Sequence, residues 1–147
     1  MRGGLRCAIV GPMADDPATS LTPIVPCNDL DASEAFWNRL GFFQDPESKD
    51  DDGEYRILGD GHGAWVHLNP AVEGWVVPGR NPFGVYLYTP DVDGVAARVR
   101  DDILSPSKAA EHQEWGMYEF ALSDPDGVLV RVGWPSRLMG SASDVDQ

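Results

Sequence analysis

Two stretches of the chain carry the same succession of hydrophobic patterns. From Leu21 to Cys27 apolar residues alternate with polar ones, the period of a strand, and Ala32, Phe36 and Leu40 then recur at helical spacing. Asp31, with Glu34 three residues on, reads as a capping box that opens this helix, and Gly41 supplies its stop. Phe42 to Asp45 reads as a strand and Lys49 to Gly53 as a solvated acidic turn. Tyr55 to Leu58 and Ala64 to Asn69 form a hairpin around Gly59-Asp60-Gly61-His62-Gly63.

The order then repeats. Phe83 to Thr89 is a strand, and Val92, Val95, Ala96 and Val99 mark one face of a helix. Ser105 to Gly116 is a polar loop with room for a short strand, and Met117 to Ser123 pairs with Val128 to Trp134 around Asp124-Pro125-Asp126-Gly127. Asn28-Asp29-Leu30-Asp31-Ala32 returns as Pro90-Asp91-Val92-Asp93-Gly94, 62 positions on, and the turn and strand from Asp60 to Leu68 return as Asp124 to Val132, 64 positions on. Two strand-then-helix starts and two turn-then-strand endings at nearly one spacing imply a duplicated supersecondary unit. The expected class is α+β, with two βαβββ modules, residues 20–69 and 83–135, in one domain spanning residues 20–135. The Pro- and Gly-rich stretch from Asn69 to Pro82 links them. Residues 1–19 are expected to be a flexible N-terminal extension and residues 136–147 a C-terminal tail.

Composition narrows the partners. Of 147 residues 42% are hydrophobic, too many for a disordered acidic tail, and a domain of this length buries roughly 68–70% of its unfolded surface. The 24 acidic against 11 basic side chains leave a charge of −13, which repels polyphosphates and anionic head groups. Neither nucleic acid nor a membrane is therefore an expected partner, and a cationic or neutral ligand is favoured. Two cysteines, Cys7 and Cys27, make no disulfide framework, and the broken apolar start makes no convincing signal peptide, so a cytoplasmic setting is expected.

Strand alternation puts Gly84, Tyr86 and Tyr88 on one face and Phe83, Val85 and Leu87 on the other; Trp65 and His67 likewise share a face. Aromatic faces stack on planar rings and attract cations. Tyr55, beside the acidic turn, is a further candidate wall, whereas Trp37, next to Phe36 on a helix that must cover a sheet, reads as core. No phosphate-binding loop, nucleophile elbow or Cys-rich metal spacing occurs, and the sequence makes no positive case for an enzyme.

The stretch Val25-Pro26-Cys27-Asn28-Asp29-Leu30-Asp31-Ala32-Ser33-Glu34-Ala35-Phe36-Trp37, then Leu40-Gly41-Phe42, then Gln113-Glu114-Trp115-Gly116 leading into Glu119 to Gly127, resembles the vicinal oxygen chelate superfamily and, within it, the bleomycin-resistance drug-binding branch. The resemblance covers residues 21–135 and implies curved mixed sheets around a cavity, a homodimer, and a drug groove holding Trp115. It also implies four metal-ligand positions, which fall on Thr22, His67, Gly84 and Arg131. Only His67 can ligate, whereas catalytic sites of this type use about three protein ligands. No metal and no cofactor are expected. The reading is a non-catalytic protein that sequesters a flat, cationic antibiotic of the bleomycin type, with Trp115, Tyr86, Tyr88, Trp65, His67, Tyr55 and Glu119 as ligand-binding residues. The alternatives are a metal-dependent glyoxalase- or dioxygenase-type enzyme and a binding domain for an endogenous metabolite. Charge-based recognition further requires that some of Asp45, Glu54, Glu114 and Glu119 border the groove.

Overall fold

The computed structural model describes residues 19–48 and 53–139; the extension up to residue 18, the acidic turn at 49–52 and residues 140–147 lie outside the described residues. The first module comprises β1 (Ile24–Cys27), α1 (Leu30–Arg39), β2 (Phe43–Gln44), β3 (Arg56–Gly59) and β4 (Trp65–Pro70). The second comprises β5 (Gly84–Tyr88), α2 (Val92–Arg98), β6 (Glu111–His112), β7 (Met117–Ser123) and β8 (Leu129–Pro135). Each makes a four-stranded mixed sheet of the same topology, β1-β4-β3-β2 and β5-β8-β7-β6, with β1–β4 and β5–β8 parallel and the remaining pairs antiparallel. The duplicated α+β architecture read from the repeat is the observed one. Residues 136–139, expected as the start of a tail, are helical.

Two local expectations change. The N-cap of α1 is Asp29, whose Oδ1 accepts from the Ala32 N–H at 3.1 Å, and not Asp31. Asp31 and Glu34, one turn apart, instead both reach Arg56 on β3, at 2.9 and 2.8 Å, so a tertiary ion pair takes the Glu34 side chain that a capping box needs. The first strand is also shorter than expected. Only Ile24 to Cys27 pair with β4, while Leu21 is 96% exposed. Pro26, which has no N–H to give, is tolerated because β1 is an edge strand.

Alternation sorts each sheet into a core face and an open face. Val25, Leu58, Val66 and Leu68 in the first module, and Leu87, Phe120, Leu122, Val130 and Val132 in the second, are buried beneath the helices, with Phe36, Trp37, Val92 and Val95 above them. Trp37 meets Phe36 and Phe42 edge-on at 5.5 and 5.4 Å, the core role expected of it.

Corresponding turns close both modules with one device. In the β3–β4 turn Asp60 Oδ1 accepts from the N–H groups of His62 and Ala64, at 2.8 and 3.0 Å. In the β7–β8 turn Asp124 Oδ1 accepts from those of Asp126 and Val128, both at 2.8 Å. The second turn alone is buried, and Asp126 ties the modules together: its carboxylate accepts from Asn28 N–H at 3.1 Å and the Ser33 hydroxyl at 3.2 Å. The linker is fixed to the same point, since Asn81 donates to Asp126 O at 3.1 Å and Asn28 donates to Val76 O at 3.0 Å.

Candidate functional site

The open face of the second sheet carries a cross-braced aromatic group. Tyr86 and Tyr88, two residues apart on β5, stack with centroids 4.5 Å apart and planes 29° apart. The Tyr86 hydroxyl donates to Glu119 Oε1 at 2.7 Å, Trp115 Nε1 donates to the same oxygen at 3.4 Å, and Arg131 Nη1 donates to Glu119 Oε2 at 3.0 Å. Burial, reinforced by the Glu119 carboxylate, pushes the Tyr86 phenol well above the ordinary tyrosine range, so it stays a donor. Gly133, beneath this hydrogen bond, permits it: a β-carbon there would overlap the Tyr86 hydroxyl and lie 2.7 Å from Glu119 Cβ.

Trp115 sits in the β6–β7 turn, 60% exposed. The turn is closed by Gly116 N–H to Gln113 O at 3.0 Å, with Gly116 at φ 90°, a conformation that favours glycine. Its base is anchored where Tyr118 packs on His112 at 4.6 Å and donates to Asp93 at 2.6 Å, a bond that pushes the Tyr118 phenol up to about 12. Trp115, Glu119, Arg131 and Gln113 line a cavity of about 140 Å³.

The open face of the first sheet holds the other expected residues. The Tyr55 hydroxyl and His67 Nδ1 are 2.8 Å apart, their rings edge to face. Burial lowers the His67 pKa, which favours the neutral ring. Trp65, 42% exposed, lies across Gly59, where a β-carbon would come within 2.7 Å of the indole. Trp65 and Tyr86 share a second, apolar groove of about 600 Å³ along the β1 and β5 edges, floored by Trp37 and Phe42.

Thus Tyr86, Tyr88, Trp115 and Glu119 form one cluster and Tyr55 and His67 another, with Trp65 beside the edge groove. Arg131 and Gly133 were missed as site residues. The 64-residue offset contained a signal for Arg131, because it sets Tyr55 and His67 opposite Glu119 and Arg131. Of the four carboxylates singled out by charge, Glu119 lines the smaller cavity, and Asp45, Glu54 and Glu114 line neither.

The four metal-ligand positions do not fit a divalent ion. Thr22 lies outside the β1 ladder, Gly84 has no side chain, and Arg131 is a cation already paired with Glu119. Among the described residues no three His, Cys, Asp or Glu side chains gather where they could hold a metal. No described helix is long and apolar enough to cross a membrane.

The sequence model of the Glyoxalase/Bleomycin resistance protein/Dioxygenase superfamily matches residues 19–132. The chain belongs to this superfamily. Within it, the chain is similar to a bleomycin-binding protein solved in complex with bleomycin, at 30% identity and a TM-score of 0.61, covering 80% of this chain and 98% of that one. It is also similar to the bleomycin resistance determinant encoded on transposon Tn5, at 29% identity and a TM-score of 0.64, over 80% of this chain and 98% of that one. An antibiotic-binding protein from Streptomyces sp. CB03234 shares the superfamily fold at 23% identity and a TM-score of 0.58, over 82% and 100% of the two chains. No curated protein matches the sequence. The superfamily also contains enzymes, so membership alone assigns no activity.

Proposed function

We propose that this protein is a cytoplasmic, non-catalytic binder that sequesters a flat, cationic antibiotic of the bleomycin type. The carrying observation is the braced aromatic group on the open face of the second sheet, where Trp115, Tyr86 and Tyr88 present ring surface on a rigid ladder. Stacking on such surfaces suits a planar ring system, and the charge of −13 steers a cation toward the chain. The solved likeness with bleomycin bound, at 30% identity, supports that ligand class.

The reading includes a homodimer. The cavity beside Trp115, about 140 Å³, is small beside the roughly 300–1,000 Å³ that encloses a drug-sized molecule, so a ring stacked on Trp115 needs a second wall. The aromatics on the open face of the first sheet, exposed Trp65 with the half-buried Tyr55–His67 pair, supply one when a second copy packs with two-fold symmetry.

Calorimetric titration with metal-free and copper-loaded bleomycin tests the proposal. Saturable heat in the micromolar range or tighter is expected, and Trp115→Ala should weaken it by about 1–3 kcal/mol, as loss of a stacking anchor does. Absence of heat from the native chain discards the bleomycin reading, and unchanged affinity in the variant discards the role of Trp115.

A further inference from the structure

Glu119 is the carboxylate placed among the aromatics, yet the chain itself already engages both of its oxygens. Tyr86 and Trp115 donate to Oε1 and Arg131 to Oε2, and the side chain is 3% exposed. A ligand cation reaching Glu119 would have to displace one of these donors. Arg131 stands in the opposite condition. It is 44% exposed, lines the same cavity as Trp115, and makes a single hydrogen bond, through Nη1, among the described residues. A guanidinium has five N–H donors and no acceptor. The site therefore offers an incoming group donors on a planar fork. Because Arg131 and Glu119 neutralise each other, it offers a cation little attraction at close range.

We propose that Arg131 is the specificity-determining residue of this site, selecting flat aromatic ligands that carry a carboxamide or carboxylate in the ring plane over those that carry an ammonium there. The location of the site rests on the drug-binding reading above. The two levels of charge act at different ranges: the whole chain draws a net cation near, and Arg131 reads the acceptor group of the part that stacks beside Trp115. Planar acceptors match the guanidinium fork, which a point charge does not reproduce.

The test uses the full chain and three probes on one ring system: 2-naphthamide, 2-naphthoate and 2-naphthylmethylammonium, each titrated against tryptophan fluorescence at physiological salt. The wild type should bind the carboxamide about tenfold more tightly than the ammonium, the scale of one hydrogen bond to a charged group. Arg131→Gln should bring the two within about threefold. Arg131→Ala, which removes the cation and also the amide donor that Gln retains for Glu119 and for an acceptor group, should invert the order. Arg131→Lys, which keeps the charge and loses the fork, should retain the carboxylate and lose the carboxamide preference. Circular dichroism checks each variant, and the Gln and Lys variants carry the test if the Ala variant does not fold. A wild type that ranks the ammonium first, or binds none of the probes at millimolar concentration, overturns the assignment, as does a ranking that survives every substitution. Bleomycin titrated in parallel separates the two readings: bleomycin heat without an acceptor preference removes the role of Arg131 alone, whereas an acceptor preference without bleomycin heat keeps that role and removes the named drug.

Discussion

Tyr55 and His67 hold the positions in the first module that Glu119 and Arg131 hold in the second, 64 residues on, and in each pair the two side chains meet across the sheet. The first pair is aromatic and the second an ion pair braced by Tyr86 and Trp115. The corresponding turns diverge as well: Asp60 and Asp124 cap theirs alike, but His62 is exposed where Asp126 is buried and reaches across to Ser33. Duplication thus preserved the backbone frame and the turn caps, while the side chains on the open faces and at the buried turn took on separate tasks. A ladder tolerates such divergence because its hydrogen bonds are made by the main chain, leaving the outward positions free to vary.

The sharpest way to break this comparison is at the turns. Asp126→Ala leaves the buried Ser33 hydroxyl and the part-buried Asn28 N–H without their acceptor and should cost about 2–3 kcal/mol, most of it from the buried hydroxyl at about 1–3 kcal/mol. His62→Ala at the matching position should stay within about 0.5 kcal/mol. Urea denaturation of the two variants measures both, and equal losses would mean that the buried tie contributes no more than an exposed loop residue.

The open faces come next. Gly133→Ala should destabilise the chain by about 1–3 kcal/mol through overpacking and disrupt the Tyr86–Glu119 bond. Asn69 occupies the matching place and is half-buried, so Asn69→Ala, which removes atoms and adds none, should change the melting temperature less. The reverse ranking would show that Gly133 is not what lets Tyr86 reach Glu119.

The smallest effect is in pH. Burial holds the Asp124 carboxyl above its ordinary 3.8, against the opposing N–H donors of Val128, Asp126 and Gly127. The folded chain therefore keeps this proton more readily than the unfolded one, so its contribution to stability falls as pH rises from about 4 through the raised value. Asp124→Asn retains an acceptor for the turn and removes the titration, so melting temperatures followed across that range should slope less than those of the native chain. An identical slope would assign the pH dependence to other groups.

Much of the frame was legible because strand alternation has a fixed period: it placed Tyr86 with Tyr88 and Trp65 with His67 on the faces they occupy. The cap lies two residues earlier than the pattern suggested: Asp29 precedes the helix and caps it, whereas Asp31 sits in the first turn and pairs with Arg56 across the module, a partner that no local pattern shows. Arg131 stands at a metal-ligand position of the superfamily, but its role here is set by its pairing with Glu119. Which of 24 carboxylates it meets depends on the β7–β8 register, where Ala121 lies opposite Arg131 and Glu119 opposite Gly133, and a local pattern does not carry that register. The spread of the expected site over two faces has the same cause, because alternation assigns sides within a sheet and says nothing of how two sheets stand to each other.

The bond from Asp126 to Asn28 joins residues 98 positions apart, and the bond to Ser33 spans 93. Their donors flank the start of the first helix, Asn28 just before its cap and Ser33 within it, and their acceptor belongs to the last hairpin of the duplicated frame. The helix start of module one is thus completed only by the final strands of module two, so two units that look like successive copies cannot reach their native free energy in succession. High sequence separation of this kind slows folding, because the chain must close a large loop before the contact stabilises anything. The same long closure ties the start of one half to the end of the other, so the two halves are expected to unfold together in one cooperative transition.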